Sequence, residues 1–194
     1  MFASTISREE INELPLDGYK GKIHLITKED QLASVFKKIS DHKIVGFDTE
    51  SKPTFRKGEY NHVAMIQIAI PEEVFLIRIN YTGITDEILR FLENEHITKI
   101  GVALRDDLKD LNKLRPAKHK GFVELNKMVT EIGIESNGLR KLTAIILGFR
   151  ISKNAQVSNW EAEKLTQKQL QYAATDAWVC LEMYNKLEQK GYVE

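Results

Sequence analysis

With 194 residues, 42% of them hydrophobic and 29% charged, the chain has the size and balance of one globular domain that buries its core without disulfides, and a disordered class is excluded. Its 28 basic and 28 acidic residues cancel to a net charge of zero. That argues against a broad basic face gripping long duplex nucleic acid, but not against an enzyme holding a few nucleotides locally. The single cysteine, Cys180, permits no internal disulfide and reads as a small buried hydrophobe. No run approaches membrane-spanning length, and the N-terminus lacks the basic and apolar regions of a secretory signal, so a cytoplasmic protein is the expectation.

The first 21 residues mix polarity around a Leu14-Pro15-Leu16 turn signal and read as a lead-in arm, followed by a single domain over 22–194. Lys22 to Ile26 is the first strand. Thr27 then opens a helix as its expected N-cap, with Leu32, Val35, Phe36 and Ile39 recurring at helical spacing. Strands follow at Ile44 to Phe47, Val63 to Ile70 and Val74 to Ile77, the last two joined closely enough across Pro71-Glu72-Glu73 for a hairpin. A helix at Asp86 to Glu93, a strand at Lys99 to Val102, a helix at Leu108 to Leu114 and a short strand at Phe122 to Leu125 come next. A meander that gives way to strand–helix alternation implies an α/β fold, with a mixed sheet of antiparallel and parallel strands flanked by helices.

The C-terminal third is helical. Leu139, Leu142, Ile145, Ile146 and Phe149 mark an amphipathic segment starting near Gly138, and Thr166-Gln167-Lys168-Gln169 opens a final helix running to about Gln189. Between the two lies an irregular segment, Ser152 to Trp160.

Four acids sit where a carboxylate is physically awkward. Asp48 and Glu50 are two apart at the end of an apolar strand, so both point to one face and can share a cation. Tyr172 and Asp176 are four apart on the last helix and therefore neighbours on one face, among the small residues Ala173, Ala174 and Ala177 that let the helix approach the sheet. Asp107 follows Ile100-Gly101-Val102 at the start of a helix. The adjacent Asp106 is the alternative register, and either could simply complement the helix dipole. Such acids repel one another and titrate upward unless divalent cations neutralise them. None of the five histidines makes an i, i+4 pair or neighbours the cysteine, so a zinc site is not expected.

Three segments resemble the three motifs of the DEDD superfamily of 3′-to-5′ exonucleases, in its tyrosine subclass. They are Phe47-Asp48-Thr49-Glu50, Ile100-Gly101-Val102-Ala103-Leu104-Arg105-Asp106-Asp107-Leu108 and Tyr172-Ala173-Ala174-Thr175-Asp176-Ala177. Lys57-Gly58 before Val63-Ala64-Met65-Ile66-Gln67-Ile68-Ala69, Gly138-Leu139 before Leu147-Gly148, and Ser158-Asn159-Trp160 are similar to the ribonuclease D and Werner-syndrome exonuclease branch. The resemblance implies a ribonuclease H-like fold, with Asp48, Glu50 and Asp176 as direct metal ligands, Asp107 as a ligand acting partly through water, and Tyr172 orienting the attacking water. It also implies two magnesium or manganese ions roughly 4 Å apart, and release of nucleoside 5′-monophosphates from the 3′ end of a single-stranded or frayed strand. Similarity around Gly21-Lys22-Ile23 and Val157-Ser158-Asn159-Trp160 leans towards DNA. Ribonuclease D-like RNA processing and an inactive nucleic-acid-binding module are the alternatives. Arg140, Lys141 and Lys153 are candidates for phosphate contact or ordinary solvated charges, and Trp160 for base stacking or, on the blander reading, for pinning a loop to the core.

Overall fold

The eight residues Val63–Ile70 are all buried, as a strand covered on both faces requires. In the computed structural model, which describes residues 1–193, this strand, β3, is central in a six-stranded sheet of order β1-β4-β3-β2-β5-β6. The strands are β1 (Lys22–Ile26), β2 (Ile44–Ser51), β3, β4 (Glu73–Ile77), β5 (Thr98–Gly101) and β6 (Phe122–Glu124). β2, β3 and β4 form the antiparallel meander, while β1 runs parallel to β4, β5 to β2 and β6 to β5.

Helices cover both faces. On one, α2 (Leu32–Ser40), α4 (Asp86–Glu93) and α5 (Leu104–Leu114) bury Leu32, Ile39, Ile88 and Leu111 against Phe47, Ile66 and Ile68. On the other, α6 (Leu125–Glu131), α7 (Leu139–Leu147) and the 23-residue α8 (Gln167–Gln189) close the sheet, α8 packing across β2, β3, β4 and β5. A Cβ at Gly46 of β2 would lie 2.0 Å from the carbonyl oxygen of Ala177. The absence of that side chain, with Ala173, Ala174 and Ala177 on the facing helix, lets the α8 backbone rest on β2. This contact brings Asp176 alongside Asp48.

Several boundaries differ from expectation for local reasons. Thr27 does not cap α2. The Gln31 side chain accepts from the Thr27 and Lys28 backbone N–H groups, and a 3₁₀ turn over Glu29–Gln31 precedes the helix. The arm contains a helix, α1 (Arg8–Glu13), fixed by a reciprocal capping box between Ser7 and Glu10. A four-residue helix, α3 (Ile79–Thr82), follows β4. α5 begins at Leu104 rather than Leu108, and Leu125 begins α6 instead of ending β6, because Glu124 closes the strand and caps both helices. Its carboxylate accepts from the N–H groups of Ala103, Leu104 and Asn126. Ala103 itself takes a left-handed conformation at φ 57° to turn the chain from β5 into α5.

Candidate active site

The strand period places Asp48 and Glu50 on the face of β2 that meets α8, while Phe47 enters the opposite core. Asp176, 5% exposed, comes from the middle of α8. Carboxylate oxygens of Asp48, Glu50 and Asp176 all lie within 4.8 Å of one another, an all-oxygen donor set of the kind that hard divalent cations take. The Thr49 backbone N–H donates to Asp48 Oδ1 at 2.8 Å, and Gln67 Nε2 reaches Glu50 Oε1 at 3.4 Å.

Few protein hydrogen bonds reach this trio. Burial pushes the Asp48 and Glu50 carboxyls well above the usual range, and the charges of their acidic neighbours push further in the same direction. Burial raises Asp176 to about 7, against the lowering influence of the Tyr172 side chain. Burial likewise raises the Tyr172 phenol, helped by the charges of Asp176, Glu50 and Asp48, so it keeps its proton at neutral pH. Oxygen-only chemistry and mutual repulsion suit a hard divalent cation rather than a softer, thiolate-preferring one.

Asp107 stands apart from the trio. It is half-buried on the first turns of α5, and burial raises it to about 6 against the lowering influence of the Thr49 side chain. Its charge is felt by both Asp48 and Glu50. Asp106 is exposed, so of the two registers it is Asp107 that faces β2.

Tyr172 reaches the site from α8, one turn before Asp176, and its ring lies 6.0 Å from that of Trp160 at a 38° tilt. Trp160 is fully buried, which fits the loop-pinning role and removes it as a surface for stacking a base. The irregular segment is anchored twice. Gln169 Nε2 donates to Ser158 Oγ and the Asn159 carbonyl, and Arg78 donates to the carbonyls of Trp160, Ala162 and Glu163.

The carboxylates and Tyr172 open into a cleft of about 690 Å³ whose walls include Arg140, Lys141 and Lys153. Arg8, Ile11 and Asn12 of α1 line it too, and nothing in the periodicity of the arm points to that. Gln67 was equally hidden as a site neighbour, although one signal was present: a lone amide in an otherwise apolar, fully buried strand has to answer something polar. It is paired directly across from Asp48, and its Oε1 has no hydrogen-bond partner. Cys180 is buried and donates through Sγ to the Asp176 carbonyl.

A family described as 3′-5′ exonuclease matches over residues 23–191. The chain belongs to the 3′-5′ exonuclease family. Among its relatives, the mouse bifunctional 3′-5′ exonuclease/ATP-dependent helicase WRN is 34% identical over 160 residues, covering 79% of this chain but 11% of the mouse protein. The chain thus spans a small part of that relative's length. The crystal structure of the Aedes aegypti Nibbler EXO domain superposes with a TM-score of 0.81 at 22% identity, covering 90% of this chain and 92% of that one. Escherichia coli RNase D, described as an exoribonuclease involved in structured RNA processing, superposes at 0.77 with 23% identity, covering 89% of this chain and 47% of that one. These likenesses establish the ribonuclease H-like exonuclease fold, a mixed six-stranded sheet flanked by helices.

Proposed function

We propose that this exonuclease domain hydrolyses the terminal phosphodiester at the 3′ end of a single-stranded or frayed nucleic acid, DNA in preference to RNA, and releases nucleoside 5′-monophosphates. The observation that carries the proposal is the trio Asp48, Glu50 and Asp176, gathered within 4.8 Å at the floor of a cleft. Two magnesium or manganese ions, held directly by these three and with the help of Asp107, would neutralise the scissile phosphate and make water a better nucleophile.

The side chains divide the remaining work. Tyr172 keeps its proton one helical turn from Asp176, so it positions the attacking water by a hydrogen bond rather than deprotonating it. The buried Trp160 ring beside it limits its rotation. The Thr49 N–H and Gln67 Nε2 fix the rotamers of Asp48 and Glu50, so the donor oxygens are set before substrate arrives. The resemblance of Gly21-Lys22-Ile23 and Val157-Ser158-Asn159-Trp160 to the Werner-type branch supports DNA as the preferred polymer.

The test incubates the purified protein with 5′-labelled single-stranded DNA and RNA of one sequence in magnesium, manganese or EDTA. A ladder shortening from the 3′ end, faster on DNA, requiring metal and absent in Asp48→Ala, is expected. Faster shortening of RNA would assign the domain to RNA processing, and binding without cleavage by the intact protein would overturn the enzyme reading.

A further inference from the structure

The N-terminal arm is tied to the C-terminal half at both ends. Glu135 and Ser136 donate their backbone N–H groups to the Ser4 carbonyl at 2.8 and 3.1 Å, and the Ile6 N–H donates to Ser136 Oγ at 3.3 Å. Beyond α1, the Arg150 N–H bonds to the Pro15 carbonyl, the Asp17 N–H to the Arg150 carbonyl, and the Tyr19 N–H to Thr175 Oγ1 on the helix that carries Asp176. Ile11 is buried beneath α1. The helix is therefore held in place against the domain, with the Arg8 side chain on the wall of the cleft that contains the carboxylates.

Arg140, on the first turn of α7, lines the same cleft. Its Nε is buried without a hydrogen-bond partner, and among the described residues neither Arg8 nor Arg140 has an acidic partner within ion-pair distance. Burial and then the positive charge of Arg8 both weaken proton binding by Arg140, so the two guanidiniums feel each other. The N-cap of α7, Gly138, has no side-chain acceptor for the first turn, and Gly138, Leu139 and Lys141 line the cleft as well. In a chain of zero net charge, two cations lining one cleft with no acid in ion-pair reach cost free energy, which an anion between them offsets.

We propose that Arg8 and Arg140 form a phosphate-binding pair that grips a non-scissile phosphate of the substrate strand, which makes the N-terminal arm part of the substrate site. This rests on the exonuclease reading for the identity of the strand, but not for the existence of the anion subsite. A planar guanidinium fork suits a phosphodiester better than an ammonium would. The carboxylates attract metal and repel the backbone, so a compensating positive wall gives the polyanion a path to the acidic floor.

The experiment measures binding of a 5′-fluorescein-labelled deoxythymidine oligonucleotide by anisotropy in EDTA, across a salt series, for wild type, Arg8→Gln, Arg140→Gln, the double variant, and the remote surface change Lys37→Gln. Each arginine change should weaken binding roughly 3- to 10-fold and lower the slope of log affinity against log salt by about 0.7, as expected for one lost single-strand phosphate contact. Lys37→Gln should do neither, and thermal melting should show Arg8→Gln folded like wild type. Unchanged affinity and slope in Arg8→Gln, with wild type degrading strands from the 3′ end, would overturn the subsite and leave the exonuclease reading intact. A lowered slope in a protein that cleaves nothing would keep the subsite and overturn the exonuclease reading.

Discussion

Two groups of buried or half-buried charge lie on and beside this sheet, and the protein treats them in opposite ways. Lys99 is fully buried, yet its Nζ donates to the carbonyls of Phe91 and Asn94 at 3.0 and 2.6 Å and lies over the rings of Phe91 and Phe122. Arg78, 2% exposed, is capped by three carbonyls and stacks on Tyr81. The fold itself supplies carbonyl partners to both cations, although Arg78 Nε is buried with no partner among the described residues. Asp48, Glu50 and Asp176 face mainly one another, with one amide N–H, one long amide contact and one phenol between them. A buried charge that the fold satisfies ties elements together; one that it leaves unsatisfied is held for something that arrives from outside.

The contrast is broken most forcefully by substituting on each side. Asp48→Ala should abolish 3′-end degradation, a loss of about 10³-fold or more, since several kcal/mol of metal-derived stabilisation goes with it. Residual activity within tenfold of wild type would remove Asp48 from the centre. Lys99→Ala should instead destabilise the protein by about 2–4 kcal/mol in urea unfolding, because it leaves two buried carbonyls unpaired and a void between two rings. Activity per folded molecule should be retained.

Smaller effects separate the ordering of water and the capping of helices from the holding of metal. Tyr172→Phe should lower turnover by about 10- to 100-fold while manganese affinity, read by titration calorimetry, stays the same, because the phenol orders water rather than metal. An unchanged rate would exclude it from the mechanism. Glu124→Ala should cost about 1 kcal/mol of stability, the size of a lost helix cap, with turnover changed less than in Tyr172→Phe.

How far such features can be read from the chain depends on whether their causes are local. The 2-residue spacing of Asp48 and Glu50, the 4-residue spacing of Tyr172 and Asp176, and the Thr166 capping box of α8 are local patterns, and the structure shows the strand and helix geometry they imply. The meander and the mixed sheet follow from strand order in the same way. What escaped is tertiary. Glu124 caps α5 across 20 and 21 residues of sequence, and Gln67 meets Glu50 only because β2 and β3 pair in that register. Arg8 reaches the cleft because the arm is bonded to Ser136 and Arg150, far along the chain. The Ser7–Glu10 capping box of α1 is a local signal, but the helix has one buried residue, Ile11, and so offers no apolar period. At the start of α2, Gln31 supplied the acceptor that Thr27 was expected to supply.

The acidic floor is costly to the fold until cations arrive, and thermal unfolding of wild type and Asp48→Asn in EDTA between pH 4.5 and 7.5 measures that cost. Carboxyls raised in the folded state, Asp107 to about 6 and Asp176 to about 7, bind more protons folded than unfolded, so they destabilise the fold increasingly as pH climbs from about 4 through these values. Asp48→Asn should therefore melt above wild type by a margin that widens with pH, and saturating manganese at pH 7.5 should raise wild type selectively and close that margin. A margin that stays constant with pH, together with no effect of manganese on wild type, would contradict the account.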